Sequence, residues 1–200
     1  MAARLLLFNV RWSRDVISNI GLSFEDQLTL LESSWRELFL LSAAQFLPGL
    51  DPTPLIPQGP LSVTLAMEVS RFRNTLMGFH SMNLDHHEFE CIKSIVLFKA
   101  GLDSEIVPSS RSSNGSSSPI SSSRLKDAAT VARLRDGAQL ALSQRFTGTG
   151  YGALRFGKLL LLLPTLRSVS AQAIEELFFK RTIGNTAIET VIYNMYFKTL

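Results

Sequence analysis

Apolar residues recur at helical spacing along most of the chain, and the strict alternation typical of a half-buried strand is nearly absent. The pattern predicts helices over 5–16, 24–46, 65–79, 84–98, 127–145, 155–182 and 188–196. Ser23, three residues before Asp26, is predicted to cap the second helix, and Gly101 to end the fourth. Seven or so helices predict an all-α domain.

The segments between these helices carry the residues expected of connections. Five prolines between 48 and 60 predict a loop, with a short hairpin left open. Residues 108–124 are mostly serine and predict a disordered insert, as a solvated linker or a phosphorylated segment. Glycines at 148–152 predict a flexible turn. We do not expect a phosphate loop there, since neither a preceding strand nor a following Lys-Ser/Thr is present.

Composition and charge narrow the class of protein. The chain has 200 residues, 46% of them hydrophobic and 18% charged, which suits a globular chain with a single core. Its 20 Lys and Arg residues are spread along the chain, so these residues are not expected to bind DNA directly. Cys91 is the one cysteine, which predicts a reducing compartment. The apolar run 159–163 is far too short to span a membrane.

Three residues on one predicted helix could suggest a metal site. His86, His87 and Cys91 lie close in sequence on one predicted helix, and imidazole with thiolate suits zinc. His80 is the remaining histidine, and a zinc site needs a third protein ligand. We therefore prefer a buried structural cysteine with exposed histidines, and expect no metal and no cofactor. The sequence contains no recognisable catalytic motif that combines a nucleophile, a base and an acid, so the chain is not expected to be an enzyme.

Two predicted helices could together wall an apolar groove with charged ends. The helix predicted over 5–16 places Val10 and Arg14, four residues apart, on one face. The helix predicted over 24–46 places a second face near its start, between Gln27 and Glu32. Such a groove would receive the amphipathic helix of a partner. Ordinary core-facing helices remain the alternative. The groove residues are Val10, Arg14, Gln27, Leu28, Leu31 and Glu32.

Three ordered blocks of sequence resemble one family. Residues 8–12 with 22–38 resemble the signature segment of nuclear-receptor ligand-binding domains, from the third to the fifth helix. Residues 84–98 resemble the eighth helix of that family, and 155–168 its tenth. The end of the chain, 177–196, resembles the retinoid X receptor group and, within it, the tailless-type orphan receptors. The resemblance implies a three-layer antiparallel helical sandwich.

The resemblance also implies what the chain belongs to. Residues 1–200 would form a partial ligand-binding domain, from the third to the last helix, with the first helix missing through a fragment or an incomplete gene model. The zinc-finger domain that binds DNA in this family is not among these residues. A nuclear transcription factor that binds coregulator helices and dimerises is therefore expected, with no membrane association.

The last helix departs from the family pattern. In the family, a basic residue of the third helix and a Glu of the last helix clamp a leucine-rich coactivator helix. Arg14 takes the basic position, but Asn194 stands where the Glu is expected, which weakens that clamp. The departure favours a repressor that recruits corepressors such as atrophin, with the last helix lying in the groove. A helix that merely caps the core is the alternative. The residues concerned are Val191, Ile192, Asn194, Met195 and Tyr196.

Dimerisation and ligand binding complete the expectations. Five consecutive leucines cannot all face one core, so a homodimer interface through Leu161, Leu166 and Ser170 is expected, unless surrounding helices bury them all. The segments that line the family's pocket carry large apolar side chains here, and no arginine stands between Arg36 and Arg71. A self-filled pocket is therefore preferred. A ligand-activated receptor domain that binds a small apolar ligand and recruits coactivators is the alternative function.

Overall fold

The computed structural model describes residues 1–103, 125–147 and 150–198, and the predicted insert at 108–124 lies outside them. Within the described residues there is no strand, and the all-α prediction is confirmed. Short 3₁₀ turns cover Thr53–Leu55 and Leu163–Arg167, and a π-helical turn covers Glu175–Phe179. The helices are α1 (Ala2–Ile17), α2 (Phe24–Phe46), α3 (Ser62–Ser81), α4 (His86–Asp103), α5 (Ala128–Arg145), α6 (Gly152–Leu162), α7 (Ala171–Ile174), α8 (Lys180–Ile183) and α9 (Ile188–Lys198).

Helix α2 forms the centre of the core. It begins as predicted, because the Ser23 hydroxyl accepts a hydrogen bond from the Asp26 N–H at 3.2 Å. Its second half is buried almost without interruption, from Trp35 to Ala44. Helices α1, α3, α4 and α9 all contact it. An arrangement of helices on both sides of a buried central helix agrees with the predicted sandwich.

The predicted helix over 155–182 is wrong as one continuous element. Pro164 lacks an amide hydrogen and lies in the 3₁₀ turn that ends α6. The backbone is then extended at Ser170, whose hydroxyl accepts a hydrogen bond from the Ala173 N–H at 3.1 Å and starts α7. The π-helical turn follows directly. The break therefore has two local causes, a proline and a new N-cap.

Two smaller expectations also differ from the structure. The proline loop holds the 3₁₀ turn Thr53–Leu55 in place of a hairpin. Helix α4 continues past Gly101 to Asp103, so that glycine does not end it. The start of α4 is capped reciprocally: the Asp85 N–H donates to Glu88 at 2.8 Å, and the Glu88 N–H donates to Asp85 at 2.7 Å.

Aromatic rings fill the interior between α2, α3 and the π-helical turn. The Phe39 ring lies 5.3 Å from that of Phe178 and 5.5 Å from that of Phe179. Phe178 also contacts Phe72 at 5.3 Å, and Phe179 contacts Trp35 at 6.4 Å. These separations are those of packed aromatic pairs. The cluster joins α2 and α3 to the C-terminal third of the chain.

A buried lysine fixes α1 against α2 and α4. The side chain of Lys93 is wholly buried and donates to Glu90 at 3.0 Å. Its ammonium lies 5.1 Å from the ring centre of Phe8, 5.3 Å from that of Trp12 and 5.6 Å from that of Phe46. Trp12 donates its indole N–H to the same Glu90. Since burial of a cation requires such compensation, this cluster holds the middle of α1 in place.

Candidate functional site

The last helix lies against α1 and the first half of α2, the two helices that were predicted to wall a groove. Its inner face repeats every four residues. Ile188 and Ile192 are wholly buried, and Tyr196 is 1% exposed. The buried side chains of α9 therefore pack on the two helices that were predicted to wall the groove.

Hydrogen bonds fix the C-terminal end of α9. The Tyr196 hydroxyl donates to the side-chain oxygen of Gln27, and Gln27 donates in turn to the Leu22 carbonyl at 2.8 Å. The Phe24 ring packs edge-on against Tyr196 with centres 5.6 Å apart. Burial raises the pKa of the Tyr196 hydroxyl, and the positive charge of Arg14 partly opposes that rise. Tyr196 is thus held as a neutral hydrogen-bond donor.

The predicted groove residues divide into a floor and a rim. Val10 and Leu31 are buried and form the floor. The rim residues keep part of their surface exposed. They are Arg14, Gln27, Leu28 and Glu32.

The predicted residues of the last helix are not all turned toward the groove. Ile192 and Tyr196 are buried, Val191 and Met195 are partly exposed, and Asn194 is exposed. Asn194 therefore faces away from the floor while α9 is docked. Sequence reasoning left Ile188 out of the site, although its spacing of four residues before Ile192 was the signal that could have found it.

The Glu189 carboxylate, in the first turn of α9, acts on two other carboxylates. Burial raises the pKa of the Glu32 carboxyl, and the negative charge of Glu189 raises it further. Burial and Glu189 also raise the pKa of Glu175, which the charge of Lys180 partly offsets. The two ends of the groove therefore differ in charge, with Arg14 near Tyr196 and carboxylates around Glu189.

Docking of α9 assembles an exposed aromatic surface, which we call the outer aromatic patch and define as Phe24, Tyr193 and Phe197. Their exposed fractions are 38%, 42% and 42%. The Phe197 ring lies 5.1 Å from that of Phe24 and 4.5 Å from that of Tyr193. Because Phe24 belongs to α2 and the other two to α9, the patch exists only while α9 is docked.

The predicted dimer residues lie in different surroundings. Leu161 is 79% exposed, whereas Leu166 is wholly buried inside the protomer, which leaves its side chain unavailable to a second copy. Ser170 is partly buried and caps α7. Leu154, seven residues before Leu161 on α6, is exposed as well, and so is Tyr151, the residue just before α6. We call Tyr151, Leu154 and Leu161 the α6 face.

Other candidate features give no chemistry to the site. Across the described ranges, no three His, Cys, Asp or Glu side chains are placed to hold a metal ion. His86 and His87 are exposed, but Cys91 is half-buried, so the preferred interpretation of a buried cysteine is corrected. A depression of about 320 Å³ opens between the end of α2, the proline loop and α3. No described helix is both long and apolar enough to cross a membrane.

Comparison with known proteins decides the family. The family model "ligand-binding domain of nuclear hormone receptor" matches residues 64–183, more than half of the chain. The chain belongs to this nuclear-receptor family. It is 34% identical over 98% of its length to "Protein tailless" of Drosophila virilis, and equally to "Steroid receptor seven-up, isoforms B/C" of Drosophila melanogaster and "Nuclear receptor subfamily 2 group F member 5" of Danio rerio.

Membership of the nuclear-receptor family decides how several of the predictions stand. The matches cover 47%, 34% and 46% of those three relatives, so the chain spans about half their length or less. The resemblance to a nuclear-receptor ligand-binding domain is confirmed, and a tailless protein is among the relatives at 34% identity. Nuclear receptors are transcription factors rather than enzymes, and their ligand-binding domains generally dimerise and bind coregulators. The surface occupied by α9 is therefore a candidate coregulator groove.

Proposed function

We propose that this domain acts mainly as a transcriptional repressor in the nucleus, as part of an orphan nuclear receptor. It does so by holding α9 on the coregulator groove and by recruiting corepressor helices. One observation carries the proposal: Ile188, Ile192 and Tyr196 of α9 are buried on α1 and α2. Contact with DNA would come from a separate zinc-finger domain outside these residues.

The docked α9 excludes a coactivator helix. Both would need the floor at Val10 and Leu31, so a coactivator must first displace α9. Once displaced, α9 offers Asn194 where a carboxylate clamp is expected, and a neutral amide makes a weaker hydrogen bond than a carboxylate. The domain therefore disfavours the binding of coactivators whether α9 is docked or displaced.

Corepressor recruitment is assigned to the docked state. The outer aromatic patch joins α2 to α9, and exposed aromatic side chains are common anchors in protein interfaces. An atrophin-type corepressor helix packed on it would gain apolar contact only while α9 stays docked. Corepressor and coactivator helices would then select opposite states of one equilibrium.

A self-filled interior supports action without a small apolar ligand. The rings of Phe39, Phe178 and Phe179 occupy the space between α2, α3 and the π-helical turn. The depression of about 320 Å³ is lined from the end of α2, the proline loop and α3, away from those rings. A ligand-activated domain would need these rings to move apart.

The α6 face supports a homodimer. Leu154 and Leu161 expose apolar surface on α6, and Tyr151 exposes a ring just before that helix begins. Leu161→Glu should shift a dimer to monomer in analytical ultracentrifugation. Leu140→Glu, which adds the same charge at an exposed leucine of α5, should leave the dimer unchanged. An equal effect of the two variants would contradict this interface.

The decisive experiment compares two fluorescent peptides on the full chain, an atrophin-type corepressor helix and a leucine-rich coactivator helix. We expect the corepressor peptide to bind more tightly. Ile192→Ala, which removes a wholly buried side chain, should reverse that preference, while Asn194→Ala should not. Tighter binding of the coactivator peptide to the unaltered chain, lost on Arg14→Ala, would overturn the proposal.

A further inference from the structure

The depression of about 320 Å³ at the end of α2 reaches down to the apolar core. Its floor includes Ala44 of α2 and Leu76 of α3, which are 6% and 7% exposed. Leu50 and Met77 also line it, and their side chains are apolar. The depression shares no lining residue with the coregulator groove or with the aromatic rings of the interior. A mostly apolar hollow of this size suits a small ligand.

One side of the depression is a turn that its own hydrogen bonds hold in shape. The Leu50 N–H donates to the Leu47 carbonyl at 3.1 Å, around Gly49, whose φ of 81° suits a glycine. The next residue, Asp51, accepts at Oδ1 from the Thr53 N–H at 3.0 Å and from the Thr53 hydroxyl. Its Oδ2 accepts no hydrogen bond from the described residues. The turn therefore brings an available acceptor to a depression that is already formed.

Two opposite charges line the depression without forming an ion pair. They belong to Arg73 of α3 and Asp51 of the turn. Hydrogen bonds from Thr53 lower the pKa of the Asp51 carboxyl, and the charge of Arg73 lowers it further. The Arg73 guanidinium nevertheless makes no hydrogen bond or ion pair to any residue that the structure describes. A donor group and an acceptor group are thus both available to a ligand.

An amide group matches this pair better than a charged group does. A guanidinium only donates hydrogen bonds and an ionised carboxylate only accepts them, whereas an amide has an oxygen for the first and an N–H for the second. A carboxylate ligand would be attracted by Arg73 and repelled by Asp51, and an ammonium ligand would meet the reverse. The remaining polar side chain, His80, lies seven residues from Arg73, which is about 10 Å along the axis of α3.

We propose that this depression binds a small apolar molecule that carries an amide group. The amide oxygen accepts a hydrogen bond from Arg73, and the amide N–H donates to Asp51. The apolar body lies on Ala44 and Leu76, beside Met77. Such a ligand joins the turn to α3 from outside, so it requires no opening of the ring-filled interior. The inference is independent of the proposed function, which concerns α9 and the coregulator groove.

The test titrates the full chain with three probes that share a phenylpropyl body, namely 3-phenylpropanamide, 3-phenylpropanoate and 3-phenylpropylamine. The backbone amide signals of Leu50 and Met77 in two-dimensional NMR spectra report binding at the depression. Because a ligand of this size gains little free energy per atom, we expect the amide to bind with a Kd on the order of 1 mM. The Kd values of the two charged probes should be at least about threefold higher.

Variants separate the polar contacts from the apolar ones. Arg73→Gln should weaken binding of the amide by about threefold to tenfold, and so should Asp51→Asn, which keeps an oxygen for Thr53. Asp51→Asn should also tighten binding of 3-phenylpropanoate, and Arg73→Gln that of 3-phenylpropylamine, because each removes a repulsive charge. Met77→Ala should weaken all three probes. Met67→Ala, which truncates another exposed methionine of α3 outside the depression, should change none of them.

Four results would overturn the inference. Equal binding of the three probes would show that the depression recognises only the apolar body. Tightest binding of 3-phenylpropanoate would make it an anion site. Unchanged signals of Leu50 and Met77 with the amide at its solubility limit would show that the probe does not bind there. Tighter binding of N-acetylphenylalanine methylamide than of 3-phenylpropanamide would assign the depression to a peptide segment of a partner. The proposed function would stand in each case.

Discussion

Tyr196→Phe tests the docking of α9 with the smallest possible change. The ring keeps its edge-on contact with Phe24 and its burial, and the hydroxyl that donates to Gln27 is removed. Gln27 is partly exposed, so water can satisfy its oxygen afterwards. The loss should then lie near the value of an ordinary hydrogen bond, about 1 kcal/mol.

A loss of that size shifts the docked fraction of α9 measurably. About 1 kcal/mol corresponds to roughly a fivefold change in the ratio of docked to undocked molecules. If a coactivator helix binds only the undocked state, as we propose, its apparent affinity should rise by up to roughly fivefold. Fluorescence anisotropy with a leucine-rich peptide on the full chain measures this directly.

Tyr193→Phe is the matched control, because it makes the same chemical change on the same helix at an exposed side chain. It should leave coactivator affinity within experimental error of the unaltered chain. The reasoning would be refuted if Tyr196→Phe left that affinity unchanged, or if both variants raised it equally.

Three further predictions concern titration, ion pairing and reactivity. The raised pKa values of Glu32 and Glu175 mean that the docked state binds protons more readily than the undocked state. Docking of α9 should therefore strengthen as pH falls from 7 toward 4.5, the ordinary pKa of a glutamate. Amide hydrogen exchange corrected for intrinsic rates should show this strengthening, and Glu32→Gln should reduce it. Arg167→Met should lower the free energy of unfolding by about 2 kcal/mol, because the buried Glu37 carboxylate loses a charged hydrogen bond of 2.8 Å from a half-exposed arginine. Urea denaturation measures the loss, and an unchanged midpoint would contradict it. Burial raises the pKa of the Cys91 thiol, which lowers the fraction of reactive thiolate at neutral pH. Ellman's reagent should therefore react more slowly with the folded chain than with the urea-unfolded chain. Equal rates would show that the thiol is not protected.

Much of the architecture follows from local signals in the sequence. The Ser23 cap and the apolar spacing of α2 predict that helix from its first to its last residue. The break after α6 could not be placed in the same way. Pro164 alone is compatible with a helix that continues beyond a bend, whereas the cap at Ser170 depends on an extended backbone that tertiary packing selects.

The candidate site was predictable in composition but not in electrostatics. Spacing brought Val10 and Leu31 to one groove, and the family resemblance suggested that α9 would lie in it. The interaction of Glu32 with Glu189 was not predictable, because it joins residues 157 positions apart through the docked position of one helix. For the same reason, Leu166 could not be assigned to the interior from a run of leucines whose helix breaks at Pro164.

The most direct test of the central claim follows amide hydrogen exchange across α9 in the full chain, alone and with each of the two peptides. The account predicts slow exchange in the free chain, slower exchange with the atrophin-type corepressor peptide, and faster exchange with the coactivator peptide. Exchange in the free chain as fast as in an unstructured peptide, or faster exchange on adding the corepressor peptide, would contradict it.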